Sequence, residues 1–362
     1  MKEVGFVYTV SGVCRASVIE KLRERCVFFM LMSYFLEETR MRKCVGVLLI
    51  VCLMAGSAFA TNNWTATTGS WGTASGWNST TLGPGVVPGN PATEQVKITD
   101  GTECTVDVAT GVFGTQKLTV GTGATLATLK IVSGGTLNAG AEVQIGDALK
   151  NGSVIQTGGL VNLVNGTASA KIEVGYKTGV GNYTISGGSI VGDALYSQLL
   201  VGASGASGGN GTFTVDEKWI DGSISVSKLY VGASTSSAAY TGTGTLAFNI
   251  NDGVNAINAG SVYLDPTGIA AAVANLSVIL TGVNPLADIL LINNTGDSGV
   301  TGAFDNIAWG ATVTLGGVNY TLTNTYVGGG DTLANDVALI IPEPATIALL
   351  GLGLLALRRN KK

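Results

Sequence analysis

Between residues 94 and 259, apolar and polar positions alternate over short runs, and each run is closed by glycine. One signature occurs five times: Leu118-Thr119-Val120-Gly121, Val143-Gln144-Ile145-Gly146, Ile172-Glu173-Val174-Gly175, Leu199-Leu200-Val201-Gly202 and Leu229-Tyr230-Val231-Gly232. Its glycines lie 25, 29, 27 and 30 residues apart. A second signature falls between them: Ser133-Gly134-Gly135-Thr136-Leu137, Thr157-Gly158-Gly159-Leu160-Val161, Ser186-Gly187-Gly188-Ser189-Ile190 and Asp221-Gly222-Ser223-Ile224. Short alternating runs such as Asn182-Tyr183-Thr184-Ile185 often precede it. Alternation over a few residues, bounded by glycine pairs, is strand-and-turn chemistry. Recurrence at a fixed period means that one structural unit is stacked on copies of itself.

A unit of this length with about three short strands and no helical period predicts an all-β fold. The expected architecture is a right-handed parallel β-helix, a solenoid in which Val, Ile and Leu of successive coils share one core. Equivalent strands would stack at about 4.8 Å per coil. The alternative is an antiparallel β-sandwich, because hairpins also use glycine pairs. Residues 61–93 read as a Trp-rich N-terminal cap and link, 94–259 as the repeats and 260–341 as a capping block. Within that block Leu276 to Leu280 and Ile289 to Ile292 read as buried strands, and Ala270 to Ala274 as a short helical turn.

The two ends have a different character. Residues 1–40 are mixed in charge, match nothing else in the chain and read as an upstream extension ahead of the true start at Met41. Residues 41–60 form a secretory signal, with Arg42 and Lys43 ahead of an apolar run and Ala58-Phe59-Ala60 as the cleavage site. Signal peptidase and the general secretion machinery are the implied partners. At the other end, Ala345 to Leu357 carries no charge, follows Pro342-Glu343-Pro344 and leads into Arg358, Arg359, Lys361 and Lys362. Proline suits a helix start, so a single transmembrane helix is expected from about Pro344. It is short against the roughly 20 residues that a spanning helix needs, and its terminal cations argue for a cytoplasmic C-terminus.

Pro342-Glu343-Pro344, the apolar span and the basic end together resemble the PEP-CTERM sorting signal. That resemblance implies reading by an exosortase, an intramembrane cysteine transpeptidase. It also implies cleavage near the Pro-Glu-Pro and passage through a transient single-pass intermediate to the cell surface or extracellular matrix. The sorting residues it picks out are Pro342, Glu343, Pro344, Arg358 and Arg359. The Gly-rich repeats resemble those of autotransporter passengers, and residues 260–341 resemble the terminal β-block of such proteins.

Composition narrows the chemistry. The stretch 61–341 has no His and no Arg, and 18 Asp plus Glu against 8 Lys leave a net charge of −10. Its one cysteine, Cys104, cannot form an intramolecular disulfide. Such an acidic chain offers no electrostatic footprint for nucleic acid. Without His, Ser-His-Asp and Cys-His centres and His-based zinc sites are excluded. Without Arg, bidentate clamps on carboxylate or phosphate are excluded too.

Three side-chain groups remain as candidates. Trp64, Trp71 and Trp77 fall within 14 residues; they read either as a cap on the open end of the core or as a glycan-stacking platform. Asp147 and Asp193 sit in the matching strings Ile145-Gly146-Asp147-Ala148-Leu149 and Val191-Gly192-Asp193-Ala194-Leu195. They are candidate Ca2+ ligands, and otherwise bond their own turns; no other cofactor is implied. Asp216, Glu217 and Asp221 surround Lys218 and Trp219 in the densest acidic stretch. Pectate-lyase-like enzymes resemble this expected fold, so a secreted polysaccharide-active enzyme is the alternative function. The residues favour a non-enzymatic structural or adhesive surface protein, with exopolysaccharide as its candidate ligand.

Overall fold

The computed structural model describes residues 61–342, apart from 80–82, 85–86, 88–94, 111–116, 164–169, 205–207, 217–221, 233–241, 252–255, 266–271, 283–286 and 329–331. Regular structure in these residues is almost all strand, and the one helical element is a single 3-10 turn, Ala74–Gly76. The expected helical turn near residue 270 is replaced where it is described, because Val273–Leu280 is a strand.

Strands follow one another in a repeating order and pair in parallel with their counterparts one repeat away, forming three ladders. In the first, Leu118, Val143, Ile172, Leu199, Leu229 and Val262 stand in register. In the second, Leu129, Val154, Tyr183, Phe213, Leu246 and Leu276 do so. In the third, the column is Leu137, Val161, Ile190, Ile224, Ile257 and Ile292. Every one of these residues is buried, and all belong to one continuous apolar core. Alternate positions of each strand point into that core, which is why the period-two pattern of the sequence is so regular.

The pairing excludes an antiparallel sandwich for the repeats. Antiparallel pairs occur only towards the two ends of the described chain. Parallel pairing also extends past residue 259, through Val273–Leu280 and Ile289–Asn294 to Thr301–Gly302. The strands persist there although the glycine signatures fade, because the inward apolar positions alone keep the register.

Glycine makes the corners. The five signature glycines all adopt positive φ, from +64° to +88°. At Gly175 a Cβ would lie 2.4 Å from the backbone carbon of Asn210. The same close approach recurs at Gly121, Gly146, Gly202 and Gly232, each against the start of a second-ladder strand. The second signature is no separate turn in two repeats. Asn151–Leu163 and Val180–Gly192 are single long strands whose Gly-Gly pairs bend them from the second ladder into the third, with shifts of register at the bend.

Each end is closed differently. At the start, Thr61–Trp64 pairs in parallel with Gln95–Ile98 and antiparallel with Trp77–Ser79. At the finish, Asp336–Ile340 lies antiparallel between Ile289–Asn294 and Val318–Tyr326, and Thr312–Leu315 adds an outer antiparallel strand. Among the described residues no helix is long and apolar enough to cross a membrane. The helix expected within 342–362, and the secretory signal at 41–60, lie outside the described residues except for Pro342.

Candidate functional site

The last strand runs straight into the Pro-Glu-Pro. Val337, Ala338 and Leu339 are fully buried, and strand pairing continues to Ile340 through Thr321. The buried Asp336 carboxylate accepts one hydrogen bond from the Asn294 amide at 2.8 Å and another from the Gly328 amide at 2.9 Å. One residue after the strand, the Ile341 amide donates to Asp288 Oδ1 at 2.8 Å. Burial pushes the pKa of the neighbouring Tyr326 up, and the nearby charges of Asp288 and Asp336 push it further. Pro342 follows, exposed. Glu343, Pro344, Arg358 and Arg359 lie outside the described residues, as do Ala58 and Ala60.

The tryptophans are a cap. Trp64, Trp71 and Trp77 are each at most 1% exposed. Trp77 packs edge-on against both others, with ring centroids 5.0 Å and 4.8 Å away. The Trp64 indole donates to the Glu103 carbonyl at 3.0 Å and that of Trp77 to the Trp71 carbonyl at 2.8 Å. Stacking on a sugar needs an open indole face, and none of the three offers one. All three are packed inside the N-terminal part of the core, an arrangement that suits the cap reading better than the glycan platform.

Asp147 and Asp193 are not brought into one site. Asp147 ends a first-ladder strand, Glu142–Asp147, and its nearest cation is Lys177 at 4.0 Å. Asp193 follows the long strand that bends into the third ladder. Its carboxylate accepts from the Leu195 amide at 2.7 Å, so it bonds its own turn. The matching strings thus occupy different corners of the repeat. Among the described residues no group of three or more His, Cys, Asp or Glu comes together to hold a metal ion. Asp216 is half-buried and its amide donates to the Ile185 carbonyl at 2.8 Å; Glu217, Lys218, Trp219 and Asp221 lie outside the described residues.

A polar network went unnoticed in the sequence. On the outward side of the first ladder, Lys171 Nζ lies 2.8 Å from Glu173 and 2.9 Å from Glu142. Gln144 donates to the same two carboxylates at 2.9 Å and 2.7 Å. Burial lowers the Lys171 pKa, yet the charge and hydrogen bond of Glu173, then those of Glu142, outweigh it and hold the ammonium protonated. The only sequence signal was that Glu142 and Lys171 hold equivalent places before two signatures; ladder register turns that into contact. One ammonium bridges two carboxylates on neighbouring strands, which suits holding those strands together. Cys104 is inside the core, and burial, with the nearby Asp107 charge, pushes its thiol pKa far up, so it is no nucleophile.

Residues 341–362 match the family model of the PEP-CTERM protein-sorting motif. No curated protein and no solved structure matches the chain. The motif implies export, a membrane-anchored sorting step toward the cell surface and exosortase as the processing partner. It begins at Ile341, the residue held by Asp288.

Proposed function

We propose that this chain, which carries a PEP-CTERM protein-sorting motif, is a structural or adhesive protein of the cell surface or extracellular matrix. Its mature part is a right-handed parallel β-helix running from about Thr61 to the Pro-Glu-Pro. It is exported through a signal at residues 41–60 and held briefly by a C-terminal transmembrane helix. Cutting by exosortase then releases it into a matrix where exopolysaccharide is its ligand. The observation that carries this reading is the junction: the last buried strand ends at Ile340 and the matched motif starts at Ile341. A folded body and a removable tail thus meet at one point. Three parallel ladders around a single core support the β-helix.

The non-enzymatic reading is supported by residue supply and by geometry. The body has no His or Arg, and the two carboxylates clustered on its first ladder are both engaged by Lys171 across neighbouring strands. Fractionation of the native host with and without exosortase, following the C-terminus by mass, tests the sorting reading. A tail left uncut in the wild type sinks it. Depolymerisation of an acidic polysaccharide, lost on Asp216→Ala or Lys218→Ala, would overturn the non-enzymatic reading.

A further inference from the structure

The junction between fold and motif contains no slack. Asp336–Ile340 is paired on both sides, and its buried centre anchors it to the core. Ile341, the first residue of the matched motif, has its amide hydrogen bonded to Asp288 Oδ1 at 2.8 Å. Asp288 stands directly before the strand Ile289–Asn294, which pairs with Asp336–Ile340. From Ile341 to Ala345, where the uncharged run begins, four residues reach at most about 14 Å. An enzyme that cuts a peptide must draw a stretch of extended backbone into its own site. Here the backbone on the N-terminal side of the Pro-Glu-Pro is already committed to the fold.

We propose that Asp288 forms a clasp that fastens the first residue of the sorting motif to the folded body, and that release of this clasp precedes C-terminal processing. Asp288 acts as a positioning residue: it sets how much of the chain ahead of Pro342 is free, and takes no part in bond cleavage. Its place just before the start of Ile289–Asn294 ties the clasp to the sheet that closes the core. Opening frees Ile341 while Val337, Ala338 and Leu339 stay buried. The body that remains after processing therefore keeps its last strand and is closed at this end. This inference rests on the reading of the tail as an exosortase substrate.

The test uses full-length chains expressed in the native host and compares wild type, D288A, D288N and a wild-type chain with six Gly/Ser residues inserted between Ile341 and Pro342. Pulse-labelling follows loss of the C-terminal tail. D288A is expected to be processed about two- to tenfold faster, the range that one hydrogen bond commands. D288N, whose amide oxygen still accepts from Ile341, stays near the wild-type rate. The insertion speeds processing as D288A does, and combining the two adds nothing more. Hydrogen exchange on the precursor from a host lacking exosortase separates the clasp from general loosening. D288A should speed exchange at the Ile341 amide and leave Val337 and Leu339 protected. Equal rates in all chains, or slower processing of D288A and the insertion, overturn the clasp. Faster exchange throughout the last strand of D288A also overturns it, because the effect is then structural. A wild-type tail that is never cut, even with exosortase present, overturns the sorting reading instead.

Discussion

At Gly175 the chain needs a residue with no side chain for two separate reasons. Its φ of +78° lies in the left-handed region, and a Cβ there would meet the backbone of Asn210 at 2.4 Å. Backbone cannot swing aside as a flexible side chain can. Gly175→Ala is therefore expected to cost about 3 kcal/mol or more, combining left-handed strain of roughly 1–2 kcal/mol with the displacement of a neighbouring strand. Urea unfolding of the variant checks this. Tyr183 is a different kind of constraint. Its hydroxyl donates to Gln156 Oε1 at 2.6 Å inside the core, and its ring stacks on Phe213 at 5.1 Å. Burial pushes its pKa far above the ordinary value. The unfolded chain gives up this proton near pH 10 and the folded chain does not. The stabilisation is therefore complete below about pH 10, and stability falls as pH rises above it, by up to about 1.4 kcal/mol per unit. Tyr183→Phe should flatten that alkaline decline between pH 8 and 11. It should also cost about 1–2 kcal/mol at neutral pH, since it leaves the Gln156 oxygen unpaired.

At the scale of elements, the ends matter more than the middle. An inner strand is bonded on both sides by near-copies of itself, so its register is reinforced twice. End strands have no such support, and each end has its own device: three interlocked indoles at the start, an antiparallel closing sheet at the finish. The closing strand is latched by Asp336, which accepts from the Asn294 and Gly328 amides. Asp336→Ala strands both donors in a buried setting and is expected to cost about 3 kcal/mol. Circular dichroism melts would show a lowered Tm, with strand content of the remaining body retained at low temperature. Trp71→Ala opens a cavity at the other end, for an expected loss of about 3–5 kcal/mol. Since no indole face is open, none of the three tryptophans should alter binding on a glycan array while the chain stays folded.

At the scale of the whole molecule, nearest-neighbour stacking makes the body a continuous column of strands with a shared core. Cys104 reports on how it opens. It is fully buried and its thiol is held protonated. In protein that begins at Thr61, where Cys104 is the one cysteine, a thiol reagent at neutral pH should label only through opening of the N-terminal ladders, and labelling should rise with urea in step with that opening. Rapid labelling of the native protein would mean that the N-terminal cap is frayed. The clasp at the far end belongs to this scale too, because it sets how much of the chain between the closing sheet and the tail is free.

Much of this was legible in the chain. The alternation of Leu118, Val120 and their counterparts identified the inward positions, because a strand turns successive side chains to opposite faces. The spacing of Gly121, Gly146, Gly175, Gly202 and Gly232 marked the corners, because only glycine takes that backbone shape without strain. The Pro-Glu-Pro, apolar run and basic end marked the sorting signal, since that signal is read as linear sequence. Other features depended on which strands became neighbours. Parallel pairing was the expectation from the regular spacing, but alternation alone permits antiparallel pairing as well, and only the ladders decide between them. The burial of Trp64, Trp71 and Trp77, the separation of Asp147 from Asp193, and the Lys171 network all follow from ladder register, which joins residues some 30 positions apart. The contact between Asp288 and Ile341 spans 53 residues. No local pattern encodes it, because it exists only once the closing sheet has folded beside the third ladder.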